Sequence, residues 1–330
     1  MTFRVGLTRD LLMSDGTPSF GTGPLSLLQS ESGIDWEFLP ESTDEISCDI
    51  MARYDGLYVN APRVTSESVS RPDCRVKIVS RHGVGYDSVD VRALAQKGII
   101  TTNTPIAVRR PVAVAALTMI FALAGRLLTK NQLTRNGGWH DRTHHMGLGL
   151  TMRTLGVIGA GGIGQELLRL ARPFGWRMLA ADPWVESQRI ESLGASKTAL
   201  ENLLVESDFV VATLLLNQQT LHLLNAQRIA LMKPSAYLIN VARGAVIDEL
   251  ALINALQTGV IAGAGLDVFE QEPIQSDNPL LNMDKVLLTP HSLCWTDECF
   301  DHMAREGLAC LVDFSQDRRP LSVVDHLSIS

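Results

Sequence analysis

The chain has 330 residues, of which 45% are hydrophobic and 20% charged, and a formal net charge of −7. That length suits two domains, each able to bury a full core. The acidic balance argues against nucleic acid or an anionic membrane as the main partner, though not against a local basic site for a small anion.

The N-terminus, MTFRVGLTRD, has no signal-peptide apolar region and reads as a strand. The five cysteines (Cys48, Cys74, Cys294, Cys299 and Cys310) are odd in number and show no CxxC spacing. Free, mostly buried thiols in a reducing cytoplasm are expected. Short apolar runs follow at Phe3–Leu7, Trp36–Leu39, Gly56–Val59, Val76–Val79 and Ile99–Thr101. Helical or loop segments separate most of them, so a parallel α/β sheet is expected over residues 1 to about 103.

A link, TTNTPIAVRRP, leads to PVAVAALTMIFALAG, an uncharged run from Pro111 to Gly125. At 15 residues it falls short of the roughly 20 that span a bilayer, and it is apolar on all faces. A helix opening at Pro111 and buried in the core or in a subunit interface is expected. GWHDRTHHMG then brings His140, His144 and His145 close together. It lacks companion Cys or carboxylate spacing, so it reads as a surface loop and no metal site is expected.

Residues 104–291 repeat the strand pattern more strongly, at Leu155–Ile158, Met178–Ala181, Phe209–Thr213, Ala236–Asn240, Gly263–Leu266 and Val286–Leu288. These runs are almost wholly apolar, as strands buried on both faces are. The first leads into Gly159-Ala160-Gly161-Gly162-Ile163-Gly164 and an amphipathic helix. This is G-x-G-x-x-G in the context that a dinucleotide needs. Gly159 permits the tight turn, Gly161 the approach of a pyrophosphate, and Gly164 close packing of helix on strand. The helix N-terminus presents free N–H groups to the phosphates. Asp182 ends the next strand, 18 residues past Gly164. A carboxylate there accepts from a ribose 2′-OH and repels a 2′-phosphate, so NAD is expected rather than NADP.

Three further polar residues stand at strand ends, and a fourth follows one of them closely. Arg243 follows one strand, Asp267 ends another with Glu272 five residues on, and His291 follows the last in VLLTPH. Ligands of open parallel sheets bind beyond the carboxyl ends of the strands, so Arg243, Asp267 and His291 emerge on the cofactor side. Hydride transfer to a carbonyl needs a proton donor at its oxygen, which a His supplies near neutral pH. A carboxylate on the far ring nitrogen fixes the tautomer. A guanidinium can clamp a carboxylate bidentately and polarise the adjacent carbonyl. The set suits interconversion of a 2-oxo acid and a 2-hydroxy acid.

The stretches HGVGYDSVD (82–90), NTP (103–105), LGVIGAGGIG (155–164), NVARGAVID (240–248), GAGLDVFEQEP (263–273) and TPH (289–291) together resemble the D-isomer-specific 2-hydroxy acid dehydrogenases. The likeness runs across nearly the whole chain and includes the phosphoglycerate dehydrogenases and the glyoxylate and hydroxypyruvate reductases. It implies a Rossmann NAD-binding domain, residues 104–291, inserted into a flavodoxin-like substrate-binding domain of residues 1–103 plus 292–330. It implies that Arg243 binds the substrate carboxylate and carbonyl, that Glu272 pairs with His291, and that His291 is the acid/base. Backbone N–H groups around Val84 and Gly85 would cradle the carboxylate, with Asn60, Arg81 and Tyr86 lining the pocket. Asp267 would hold the nicotinamide carboxamide, with Gly162, Ile163, Thr213 and Ala242 as further cofactor contacts. The helix from Pro111 would lie in a homodimer interface.

The chain departs from the family in places. Val114 stands where a Val-Ala-Glu glutamate falls, and Arg109 and Arg110 precede the helix, where cations oppose its dipole. The bland expectation is an inter-subunit salt bridge or solvent exposure; the sharper one is contact with an anionic group of substrate or cofactor. In VATLLLNQQT, Leu214 and Leu215 replace the usual Pro chemistry, which would reshape the wall of the nucleotide pocket. Trp139 and Trp295 suit lids, partner-subunit wedges or core. Two other readings stand beside the dehydrogenase: an NAD-sensing, corepressor-like binding protein with little turnover, and a dehydrogenase of an unusual sugar acid.

Overall fold

A computed structural model describes residues 2–324. The chain divides into two compact units, Met1–Val108 with Trp295–Ser330, and Arg109–Cys294.

The first unit holds five parallel strands: β1 (Phe3–Leu7), β2 (Ile34–Phe38), β3 (Gly56–Val59), β4 (Ile78–Arg81) and β5 (Ile100–Thr102). Their order, β2-β1-β3-β4-β5, is the flavodoxin-like one. β3 is buried along its whole length, as a central strand between covered faces must be. β2 begins two residues before the expected run because it is an edge strand. Asp35 and Glu37 point to solvent, so its signal alternates instead of running on. β4 runs to Arg81 through Ser80, a buried hydroxyl that donates to the Gly307 carbonyl at 2.9 Å. Gly307 lies in the helix Asp297–Ser315, and a Cβ there would run into the Tyr58 ring. That closeness seats the helix on the sheet. Thr296 caps the helix by accepting from Cys299 N at 3.1 Å, and Asp297 and Glu298 suit the dipole in its first turn.

The second unit holds seven parallel strands: β6 (Thr154–Ile158), β7 (Arg177–Ala181), β8 (Ser196–Lys197), β9 (Phe209–Ala212), β10 (Tyr237–Asn240), β11 (Gly263–Leu266) and β12 (Val286–Leu288). Their order, β12-β11-β10-β9-β6-β7-β8, is a Rossmann sheet in which the chain reverses direction of travel between β6 and β9. β8 gave no signal in the sequence: it is two residues, one of them Lys, at the sheet edge.

The helix expected from Pro111 begins at Arg109 and ends at Gly125. Pro111 sits within its first turn, where a missing N–H costs nothing. Val112, Ala113, Ala116, Met119, Ile120 and Leu123 are buried, whereas Val114 and Thr118 are exposed. So burial on all faces does not hold within one chain. Arg126 then adopts a left-handed conformation (φ 51°) and a second helix, Leu127–Arg135, leaves at a bend of 56°. Among the described residues no single helix is long and apolar enough to cross a membrane. Trp139–His145, expected as a loop, is a short 3-10 helix. None of the five cysteines is in a disulfide, but only Cys299 and Cys310 are buried, so "mostly buried" is too strong.

Candidate active site

In the second unit, β6 ends in a turn that only glycine makes easily: Gly159 has φ 89°. Its N–H donates to the Ala181 carbonyl at 2.9 Å, and its carbonyl accepts from Thr213 Oγ1 at 2.7 Å. A Cβ on Gly164 would run into the Gly159 carbonyl, so helix Gly162–Ala171 packs this closely only with glycine there. A Cβ on Gly161 would meet nothing within 4 Å, which leaves open space at the helix N-terminus. A cradle of this form fits the diphosphate of a dinucleotide. Asp182, at the end of β7, accepts from Ala160 N at 2.8 Å, Trp184 N at 2.8 Å and Val185 N at 3.1 Å. A carboxylate offers about four lone-pair sites, so it keeps capacity for a ribose hydroxyl. Leu214 packs directly on Gly159, with its Cβ 2.8 Å from where a glycine Cβ would stand. Apolar side chain thus lines this wall.

His291 follows β12 and adopts φ 51°, a left-handed conformation rare outside glycine. Its Nδ1 lies 2.7 Å from Glu272 Oε2. Glu272 Oε1 accepts from Phe269 N at 3.0 Å, so both carboxylate oxygens are engaged and the ring is aimed. Burial pushes the Glu272 carboxyl up, but the His291 hydrogen bond, the Phe269 N–H and the charges of His291 and Arg243 outweigh it. The net effect is a carboxyl held below its usual range. An ionised Glu272 can only accept, so His291 Nδ1 carries the proton between them and Nε2 is the nitrogen left to exchange one.

Asp267, 4% exposed, anchors neighbouring backbone through one of its oxygens. Its Oδ1 accepts from Thr289 Oγ1 at 2.6 Å, Ser292 N at 3.0 Å and Leu293 N at 3.1 Å. These three residues flank His291, so Asp267 holds the loop that carries it. Arg243 follows β10, and its Nη1 donates to the Ala242 carbonyl at 2.8 Å. The buried Asn240 fixes that turn: Nδ2 donates to the Arg243 carbonyl at 2.9 Å and Oδ1 accepts from Ala242 N at 3.0 Å. A Cβ on Gly244 would run into the Phe269 carbonyl. The Arg243 turn therefore lies directly against the backbone that leads to Glu272. Asn240, Gly244 and Thr289 were not singled out from the sequence. The only signal was a polar or small residue beside a functional one, and such residues are common.

Arg109 and Arg110 belong to the first turn of their helix instead of preceding it. Arg110 Nη1 lies 3.3 Å from Glu166 Oε1, and Arg169 Nη2 lies 2.6 Å from the same oxygen. Arg110 is exposed, one of the two forms of the bland expectation, and pairs with Glu166 of the same chain. The Arg169 hydrogen bond and charge, then the Arg110 charge, hold the Glu166 carboxyl low against burial.

In the first unit, Asn60 follows β3, and its Nδ2 donates to Asp10 Oδ2 at 2.7 Å. Arg81 ends β4 and curls over Gly83 (φ 119°), donating through Nη1 to the His82 carbonyl. Asn103 Nδ2 donates to the Val84 carbonyl at 2.7 Å, and Thr104 Oγ1 accepts from Gly83 N at 2.8 Å. The loop that carries Val84 and Gly85 is thereby held from both sides. His82 is buried against Tyr58, whose hydroxyl bonds its Nδ1 and reaches the Met303 carbonyl at 3.0 Å. Trp139 and Trp295 are 60% and 57% exposed, so neither is core.

The sequence profile of the D-isomer specific 2-hydroxyacid dehydrogenase NAD-binding domain matches residues 117–292. The glyoxylate reductase of Pyrococcus furiosus is 35% identical over 309 residues, 91% of each chain. A glyoxylate reductase structure from Paecilomyes thermophila superposes with a TM-score of 0.85 at 29% identity, covering 99% of both chains. The D-lactate dehydrogenase of Aquifex aeolicus, complexed with NAD and lactic acid, gives 0.81 at 27% identity over 95% of this chain and 96% of that one. The chain belongs to the D-isomer specific 2-hydroxyacid dehydrogenases, NAD-dependent enzymes that interconvert a 2-oxo acid and a D-2-hydroxy acid.

Proposed function

We propose that the chain reduces a small 2-oxo acid of the glyoxylate class, with His291 as the acid and base. The observation that carries this is the 2.7 Å pair between His291 Nδ1 and the anchored Glu272 carboxylate. In reduction His291 is the imidazolium, and Nε2 gives its proton to the carbonyl oxygen of the substrate. In oxidation the neutral ring takes the hydroxyl proton at the same atom. The Glu272 charge stabilises the imidazolium and keeps the ring from turning. Bound NADH supplies the hydride. Arg243 binds the substrate carboxylate and polarises the carbonyl, with its turn set by Asn240 and Gly244. Asp267 keeps the His291 loop in place through Oδ1 and offers Oδ2 to the carboxamide of the cofactor.

In the first unit, which we read as the substrate-binding domain, the loop at Val84 and Gly85 is a backbone nest for a carboxylate. Asp182 favours NAD over NADP because its carboxylate repels a 2′-phosphate. The working form is a homodimer. The helix Leu127–Arg135 and the segment after it expose Leu127, Leu128, Trp139, Met146 and Met152, an apolar surface that a second copy of the chain would cover. The test of the reading is turnover of NADH with glyoxylate, hydroxypyruvate and pyruvate. Consumption with at least one of them is expected. A folded protein that binds NADH and turns over none would leave the binding-protein reading instead.

A further inference from the structure

Gly162 differs from the other glycines of the loop in what stands where its Cβ would be. It lacks a positive φ, unlike Gly159, and a Cβ on it would not strike backbone, unlike one on Gly164. The obstacle is a side chain from another element. A Cβ on Gly162 would lie 2.7 Å from Arg109 Nε, 3.2 Å from Cδ and 3.3 Å from Cγ. The Arg109 side chain therefore runs across the first residue of the helix Gly162–Ala171.

We propose that Arg109 is a cofactor-binding residue, laying its guanidinium beside the glycine loop to bind the diphosphate of the dinucleotide. Its own backbone lies in the first turn of the helix Arg109–Gly125, so two helix N-termini and a guanidinium converge there. All three raise the positive potential where an anion is to sit. A planar guanidinium can donate to two phosphate oxygens at once, which no single loop N–H can. Arg109 is exposed, so a phosphate can reach it, and its neighbour Arg110 is held by Glu166 on the same helix face. The glycine at 162 supplies the room.

The proposal rests on the placement of NAD at the glycine loop, and calorimetric titration separates the two. The ligands are NADH, ADP and adenosine, and the proteins are the parent, Arg109→Met, Arg109→Lys and Gly162→Ala. Arg109→Met is expected to raise Kd about tenfold for NADH and ADP, the size of one charge-assisted phosphate contact, and to leave adenosine unchanged. Arg109→Lys should keep part of the affinity, and Gly162→Ala should weaken both phosphorylated ligands by displacing the arginine. NADH and ADP binding within twofold of the parent in Arg109→Met would overturn the proposal. So would an equal loss for adenosine, which marks a structural role. A folded parent that binds no NADH would overturn the placement of the cofactor, and this inference with it.

Discussion

At the scale of single residues, the pair of Glu272 and His291 makes a pH-dependent prediction. The Glu272 carboxyl is held low in the fold, so its contribution is complete above the usual carboxyl range and is lost as pH falls through the folded value. Glu272→Gln removes the charge but keeps the shape. It should lower kcat about tenfold or more and remove the part of the acid-side loss of activity that protonation of Glu272 causes. An unchanged profile in Glu272→Gln would remove Glu272 from the chemistry. His82 tests a different group. Burial, then the Arg81 charge, lower it from 6.5 to about 3, so the fold keeps it neutral. The unfolded chain takes up that proton below 6.5 and the folded one does not. Stability is therefore full above 6.5 and falls toward pH 3, by up to about 1.4 kcal/mol per pH unit. Urea midpoints at pH 7 and pH 4.5 should show a smaller difference in His82→Gln than in the parent. Equal differences would mean that His82 is not the group.

At the scale of elements, the turn Arg243–Gly244 against the Phe269 carbonyl is the tightest join in the second unit's candidate site. Gly244→Ala should cost about 1–3 kcal/mol, as overpacking does, and should lower kcat by shifting both Arg243 and the Glu272 loop. Thermal melting and steady-state kinetics on one preparation check both parts. Such joins explain what could be read in the sequence and what could not. β6, β9 and β11 were legible because strands buried on both faces must be apolar throughout. β2 was legible only in part and β8 not at all, because an edge strand keeps solvent-facing polar residues or is too short to leave a pattern. Arg243, Glu272 and His291 stood out because they are polar residues at or just beyond the ends of apolar strands. Asn240 and Thr289 are polar too, but their partners are distant or are backbone atoms, which one-dimensional spacing does not show. Asp267 was found, yet its hold on Thr289, Ser292 and Leu293 was not, since a hydrogen bond between loops leaves no periodicity.

At the scale of the whole molecule, the apolar surface of Leu127, Leu128, Met146 and Met152 belongs to the proposed dimer. Light scattering should give twice the 36.0 kDa chain mass, and Leu127→Asp with Met146→Asp should give monomer. A parent that stays monomeric at micromolar concentration would contradict the dimer. The cofactor preference belongs to this scale too, since it sets which reductant pool drives the enzyme. NADH should exceed NADPH in kcat/KM by at least about tenfold, and Asp182→Asn should narrow the gap by removing the repelling charge. An equal ratio in the parent would end the argument from Asp182. The central claim is that His291 moves the proton, and the most direct test is His291→Ala assayed with NADH and the best 2-oxo acid. The account predicts a kcat lower by about a hundredfold or more, with the Kd for NADH and the melting temperature unchanged. A kcat within threefold of the parent in that folded variant would contradict it.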